Sequence, residues 1–333
     1  MRKMFLLGAA TLSLALALTA TAADKAPKTV LEGLNNPCGL AVQPETGLLF
    51  VSDSGAGRIV CVKDGKAVDV VTDFPSDVYG KGPKYAIGPL GLAFIDQNTL
   101  VVGGGGQKDG DELLRVYDLS GGKPLKADQM KASYKLPARG DEVKGEGNFY
   151  DVVFGLGGVY VSCNGDDTKG WVARLPIKKD GSMGKFTRFL ATKEAVEVDA
   201  PVGLEIVKRH LIVGQMGEIS IPGDSLLTVY DRKKKMVANL ETELHDITGL
   251  AASPKSKKKI RLLVTDFAWN DTTQGGLFTA MVELGDEPKV TVKKVASLDK
   301  PTALVFGNDG ELYVTVIGEG EKGGKVVCFA PGL

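Results

Sequence analysis

The chain has 333 residues and balanced charge, 41 Lys and Arg against 41 Asp and Glu, with 43 glycines and four cysteines. Zero net charge excludes a global attraction to nucleic acid or to an anionic membrane. The glycine content suits a β protein rich in turns, and about 310 residues beyond an N-terminal leader leave room for one large domain or two ordinary ones.

Residues 1–23 read as a secretory signal. Arg2 and Lys3 form the basic start, Met4 to Leu18 the apolar stretch, and Ala20-Thr21-Ala22 a small-residue cleavage site. No cysteine lies near that site to carry a lipid, and no later stretch is long and apolar enough to span a bilayer. The mature protein, residues 24–333, is expected to be soluble and exported, periplasmic or extracellular. Next, Lys28 to Gly33 is a lone strand. Asn36 to Val62 (NPCGLAVQPETGLLFVSDSGAGRIVCV) holds three short β-rich runs separated by turn residues, the mark of an antiparallel meander.

The same layout returns at Pro301 to Pro331, where Gly-Glu-Leu-Tyr-Val-Thr stands for Gly-Leu-Leu-Phe-Val-Ser. Further copies begin near Pro89, Asn148, Pro201 and Asp246, mostly 45 to 60 residues apart. Four strands at that period predict propeller blades. The expected fold is therefore all-β: a single six-bladed β-propeller of four-stranded antiparallel blades, starting near residues 36, 89, 148, 201, 246 and 301. Blade six supplies only three strands before Leu333, so Lys28 to Gly33 is expected to become its outer strand and close the ring, which removes an open edge. Few strands alternate cleanly, as expected where both faces of a blade are covered.

The cysteines, Cys38, Cys61, Cys163 and Cys328, fall at blade positions that argue against pairing. Cys61 and Cys328 occupy the same position in blades one and six, too far apart for a disulfide. The favoured reading is four free, mostly buried thiols. His210 and His245 fall at opposite ends of the predicted ring, so a shared metal site or a His-based triad is not expected. No Gly-x-Ser-x-Gly elbow, phosphate loop, His-Glu-x-x-His or Cys-x-x-Cys occurs; Gly103 to Gly106 lacks a following helix and reads as a blade turn.

The repeat Gly-Leu-Ala-Val, then Gly-Leu-Leu-Phe-Val-Ser-Asp-Ser, then Arg-Ile resembles the NHL repeat and the related blades of the gluconolactonase (senescence marker protein) family, over about residues 28 to 333. That family holds a divalent metal through four ligands near the central channel. On the strand pattern they fall at Cys38, at Phe149 with Asn148 beside it, at Val202 and at Gln215, and none matches. The resemblance thus implies the fold, while the departures leave the metal site absent or rebuilt elsewhere.

In a propeller the turns between second and third strands share one end, here called the top, with the blade links and the starts of the inner strands. Sorting residues by this rule collects polar groups at the top channel mouth: Asp53, Asn148, Asp151, Asn164, Gln215, Asp246 and Asp266, with Trp269 and the aromatics Tyr79, Tyr85, Phe149, Tyr150 and Phe267 among them. Asp and Asn also end strands for structural reasons, by bonding nearby backbone amides. The links Pro75 to Gly88 and Pro137 to Gly147 are long enough to serve as a lid or binding loop. The bottom of blades three to five is basic; Lys233, Lys234, Lys257 and Lys258 are candidates for contact with an anionic surface.

The expected function is an exported binding or scaffolding module for a small polar or sugar-like ligand or a protein partner, acting as a monomer, without nucleic acid. The alternative is a lactone or ester hydrolase or a lyase with a rearranged carboxylate–metal site at the channel mouth, for which Ca²⁺ is the candidate ion.

Overall fold

A computed structural model describes residues 26–333 apart from 81, 167, 257 and 258. The leader and the positions Asp167, Lys257 and Lys258 therefore lie outside the described residues. The chain forms the six predicted blades. Their inner strands are Pro37–Val42, Pro89–Phe94, Phe149–Gly155, Pro201–Val207, Ile247–Ala252 and Pro301–Phe306. The N-terminal strand Lys28–Leu34 pairs antiparallel with Gly324–Phe329 and completes blade six.

The apolar core is six slabs, one between each pair of neighbouring blades. A middle strand therefore faces apolar surface on both sides. Leu49–Asp53 and Gly158–Cys163 are buried at every residue, which is why their sequences run apolar instead of alternating. Blade two departs from the simplest reading. Its outer strand is Ala132–Tyr134, while the nearer fragment Leu125–Lys126 runs parallel to Lys66–Thr72 on the edge of blade one. Ala127 N–H donating to Thr72 O and the buried Tyr117 hydroxyl donating to Ala127 O hold the fragment there.

Two repeated devices knit the ring. Every inner strand shifts register near its start, as between Pro37 and Gly39 or Phe149 and Val152, which bends it at the channel mouth. Just opposite, the second strands carry Ser52, Gly103, Ser162, Gly214, Thr265 and Thr315 in blade order, a hydroxyl or a glycine at one position. The hydroxyls reach across blades: Ser52 Oγ donates to Leu90 O, Ser162 Oγ to Val202 O at 2.7 Å and Thr265 Oγ1 to Thr302 O at 3.0 Å. Thr302 Oγ1, bonded to Thr315 Oγ1, donates to Pro37 O and so links blade six to blade one. Where glycine stands, the blades close up instead; a Cβ on Gly103 would fall inside contact distance of Phe149 O.

Candidate ligand site at the channel mouth

The long link after blade one folds into a hairpin, Asp77–Tyr79 against Tyr85–Ile87. It crosses the top of the ring and meets the loop of blade five that follows Asp266. Tyr79 and Tyr85 stand edge-on to Trp269, at centroid distances of 6.5 and 5.4 Å, and Phe267 stacks on Trp269 at 4.8 Å. Trp269 Nε1 donates to Gly82 O at 3.2 Å, and Asn36 Nδ2 ties the other hairpin arm down through Ala86 O at 2.6 Å.

The aromatic loop is held by buried acids. Asp246 and Asp266 are 2% and 1% exposed. Asp266 accepts from the backbone N–H groups of His245, Asp246 and Ala268, and Asp246 Oδ2 accepts from Trp269 N. These bonds let Ala268 take a left-handed conformation (φ 51°) and turn Phe267 and Trp269 toward the mouth. Burial, reinforced by Asp266 and Asp224, lifts the Asp246 carboxyl to about 7 despite the bond from Trp269 N.

Beneath the hairpin lies a cavity of about 70 Å³. Its polar lining is Asn36, Asn148, Asn164, Thr248 and Thr302, with the aromatic side chains of Tyr79, Tyr85, Tyr150, Phe267 and Trp269 around them. Among the described residues, no Asp, Glu, Lys, Arg or His lines it. Two of its weak acids are held firmly neutral. Burial pushes the Cys38 thiol up to about 12, and burial, with Cys38 and Asp151 nearby, drives the Tyr150 hydroxyl well above its ordinary value. A thiol so held is not a nucleophile. Charged groups begin outside, in an adjoining groove of about 720 Å³ that includes Lys84, Asp271, Lys300 and Glu319.

Cys38, Tyr150 and Thr248 also line a second cavity of about 370 Å³ in the lower channel. There Asp151 accepts from Leu204 N at 2.7 Å and Glu205 from Ala252 N at 2.7 Å, each carboxylate bridging to the next blade. Burial raises Asp151 to about 6 and Glu205 to about 7.

Of the sequence candidates, Asn148, Asn164 and Trp269 line the mouth cavity together. Asp151 lies in the lower channel instead. Asp53, 1% exposed, accepts from Asn35 N and pairs with Arg58 at 2.8 Å, the same strand-ending position that Asp266 holds in blade five. Gln215 is fully buried and accepts from Thr192 Oγ1 at 3.3 Å. Phe149 is fully buried in the slab between blades two and three. The link Pro137 to Gly147 packs on the 109–110 turn and brings Glu146 to Arg188, away from the cavity lining. Asn36, Cys38, Thr248 and Thr302 join the mouth without having been singled out as ligand groups; their signal is their place at or just before inner-strand starts. Among the described residues no three His, Cys, Asp or Glu are grouped so as to hold a metal ion. All four cysteines are free.

No family model and no curated protein matches this sequence. Solved structures do. The soluble aldose sugar dehydrogenase of Escherichia coli aligns with TM-score 0.61 at 14% identity, over 92% of this chain and all of that one. A gluconolactonase of Xanthomonas campestris aligns with TM-score 0.59 at 14% identity, over 96% of this chain and 94% of that one. A luciferin-regenerating enzyme aligns with TM-score 0.59 at 13% identity, over 93% of this chain and 96% of that one. What the chain shares with them is the fold, a six-bladed propeller.

Proposed function

We propose that this propeller is an exported binding module that takes a small, uncharged, sugar-like ligand at the channel mouth. The observation that carries this reading is the lining: amide and hydroxyl groups set among five aromatic side chains, with no group charged at neutral pH among the described residues. Amides and hydroxyls match sugar hydroxyls, and aromatic faces match the C–H faces of a sugar ring. That several propellers of similar fold are named for sugar chemistry supports the same ligand class. The cavity, about 70 Å³, is far below the ~300 Å³ of ordinary ligand pockets. The hairpin 77–87 must therefore lift off Trp269 to admit a ring. Trp269 is one of only two tryptophans, so its emission reports the event. Titration with neutral aldoses, aldonolactones and glycosides should change that emission, and Trp269→Phe should remove the signal while keeping affinity measured by calorimetry within about threefold. A wild-type protein that shows neither signal nor heat with any of these compounds refutes the reading.

One observation favours a second reading, hydrolysis of a lactone or ester. Beside the mouth a cavity of about 30 Å³ is lined by His245, Asp246 and Asp271, and His245 Nδ1 and Asp246 Oδ1 are buried there without a hydrogen-bond partner. A carboxyl near 7 can exchange a proton at working pH. Lactonase activity with a pH profile abolished by Asp246→Asn would establish it; full activity in that variant would discard it.

A further inference from the structure

The far end of the ring carries a feature the mouth does not use. Three neighbouring turns of blades three and four, residues 177–186, 207–210 and 231–235, hold nine Lys and Arg against two acids in a chain of zero net charge. The two acids, Asp180 and Asp231, are occupied in capping their own turns, through Ser182 and through the N–H groups of Lys233 and Lys235. Lys178, Lys179, Arg232 and Lys233 are exposed and form no ion pair among the described residues.

Beside the last of these turns lies a cavity of about 410 Å³, lined by Leu156, Gly157, Tyr160, Arg174, Phe189 and Arg232. Its aromatic rings are spent on holding cations. Arg174 lies over Tyr160 and Phe189 at 5.5 and 5.9 Å, and Lys234 Nζ sits 4.5 Å from the Phe189 centroid. Arg174 Nη2 donates to Gly157 O at 3.0 Å, which fixes the guanidinium, while its Nε is buried with no acceptor. A concave site with pre-set cations fits anionic oxygens.

We propose that this end of the propeller binds an acidic polysaccharide, one carboxylated sugar seated in the Arg174–Arg232 cavity and neighbouring units along the three basic turns. A flat bilayer surface cannot enter the concavity, and of the large apolar residues exposed among the described residues, Val68, Val78, Tyr79, Phe154 and Ile221, only Phe154 belongs to this end of blades three and four. Stacked nucleic-acid bases would need ring faces that Arg174 and Lys234 already cover. A flexible chain with one carboxylate per ring needs neither.

The test uses polygalacturonate, retention and calorimetry at low salt, and two charge-matched triple variants at exposed sites. Arg232→Glu/Lys233→Glu/Lys234→Glu alters the proposed site; Lys63→Glu/Lys66→Glu/Lys123→Glu makes the same charge change on blades one and two. We expect the first to weaken binding by at least about tenfold and the second by less than about threefold, with both variants melting like wild type. Equal losses in the two variants would mean long-range attraction and overturn the site. Absence of wild-type binding at low salt overturns it too. So does binding to phosphatidylserine vesicles or single-stranded DNA in preference to polygalacturonate.

Discussion

The hydroxyl bridges between blades can be tested at Ser162. Its side chain is fully buried; Oγ accepts from Asp151 N at 2.9 Å and donates to Val202 O at 2.7 Å. Ser162→Ala removes one atom and leaves a buried donor and a buried acceptor unpaired at the junction of blades three and four. At about 1–3 kcal/mol for each stranded group, partly relieved by relaxation, the loss is about 2–4 kcal/mol. Gly103 holds the same position in blade two, where the neighbouring backbone comes in to touch it, so Gly103→Ala must push Phe149 and its strand aside and should cost at least as much. Urea unfolding at fixed pH measures both through the midpoint at constant slope. A loss below about 0.5 kcal/mol for Ser162→Ala, the range of ordinary surface changes, would show that the bridges do not hold the ring together.

Stability should depend on pH in an unusual direction. Asp151, Glu205 and Asp246 all bind their protons more tightly when folded, at about 6, 7 and 7, than when unfolded, so their contribution is fully present below about pH 4 and is lost as pH rises to 7. Unfolding free energy should fall by about 2 kcal/mol or more between pH 5 and 8; a rise over that range refutes the assignment. Leu34, 1% exposed on the closing strand, should cost about 2–5 kcal/mol as Leu34→Ala, read by urea unfolding; an unchanged midpoint would mean that the strand does not close the ring. Maleimide should label half-buried Cys328 first and leave Cys38 unmodified in the folded protein, although Cys38 lines the mouth cavity; fast labelling of Cys38 would contradict its raised thiol and the closed hairpin.

The ring was legible because it repeats. Gly-Leu-Leu-Phe-Val-Ser and Gly-Glu-Leu-Tyr-Val-Thr already contain Ser52, the bridging hydroxyl of blade one, and Thr315, which bonds the bridging Thr302 of blade six, and the inner strands begin within a residue of where the repeat put them. The site was less legible because acids at strand ends have two uses that look alike in sequence. Asp53 and Asp266 end equivalent strands and accept backbone N–H groups, so their charge is turned into the blade, away from the channel. Asp151 was misplaced by the register shift between Phe149 and Val152, which sends its carboxylate to the next inner strand and down the channel. The hairpin's meeting with Trp269 joins residues nearly two hundred positions apart and has no local signal beyond the length of the link.

These placements explain why the two ends of the ring should bind by different physics. At the mouth the acids are drawn into the blades, Cys38 and Tyr150 keep their protons, and the described residues that line the cavity are neutral. Affinity there comes from hydrogen bonds and apolar contact, which added salt does not screen. At the far end exposed cations dominate, and ion pairs of that kind weaken as the Debye length shrinks from about 10 Å at 0.1 M salt to about 3 Å at 1 M. Raising sodium chloride from about 0.05 to 0.5 M should therefore leave neutral-sugar binding at the mouth within about twofold and release polygalacturonate almost entirely. If both ligands respond to salt alike, they share a site, and the division of the propeller into a neutral mouth and a basic rim is wrong.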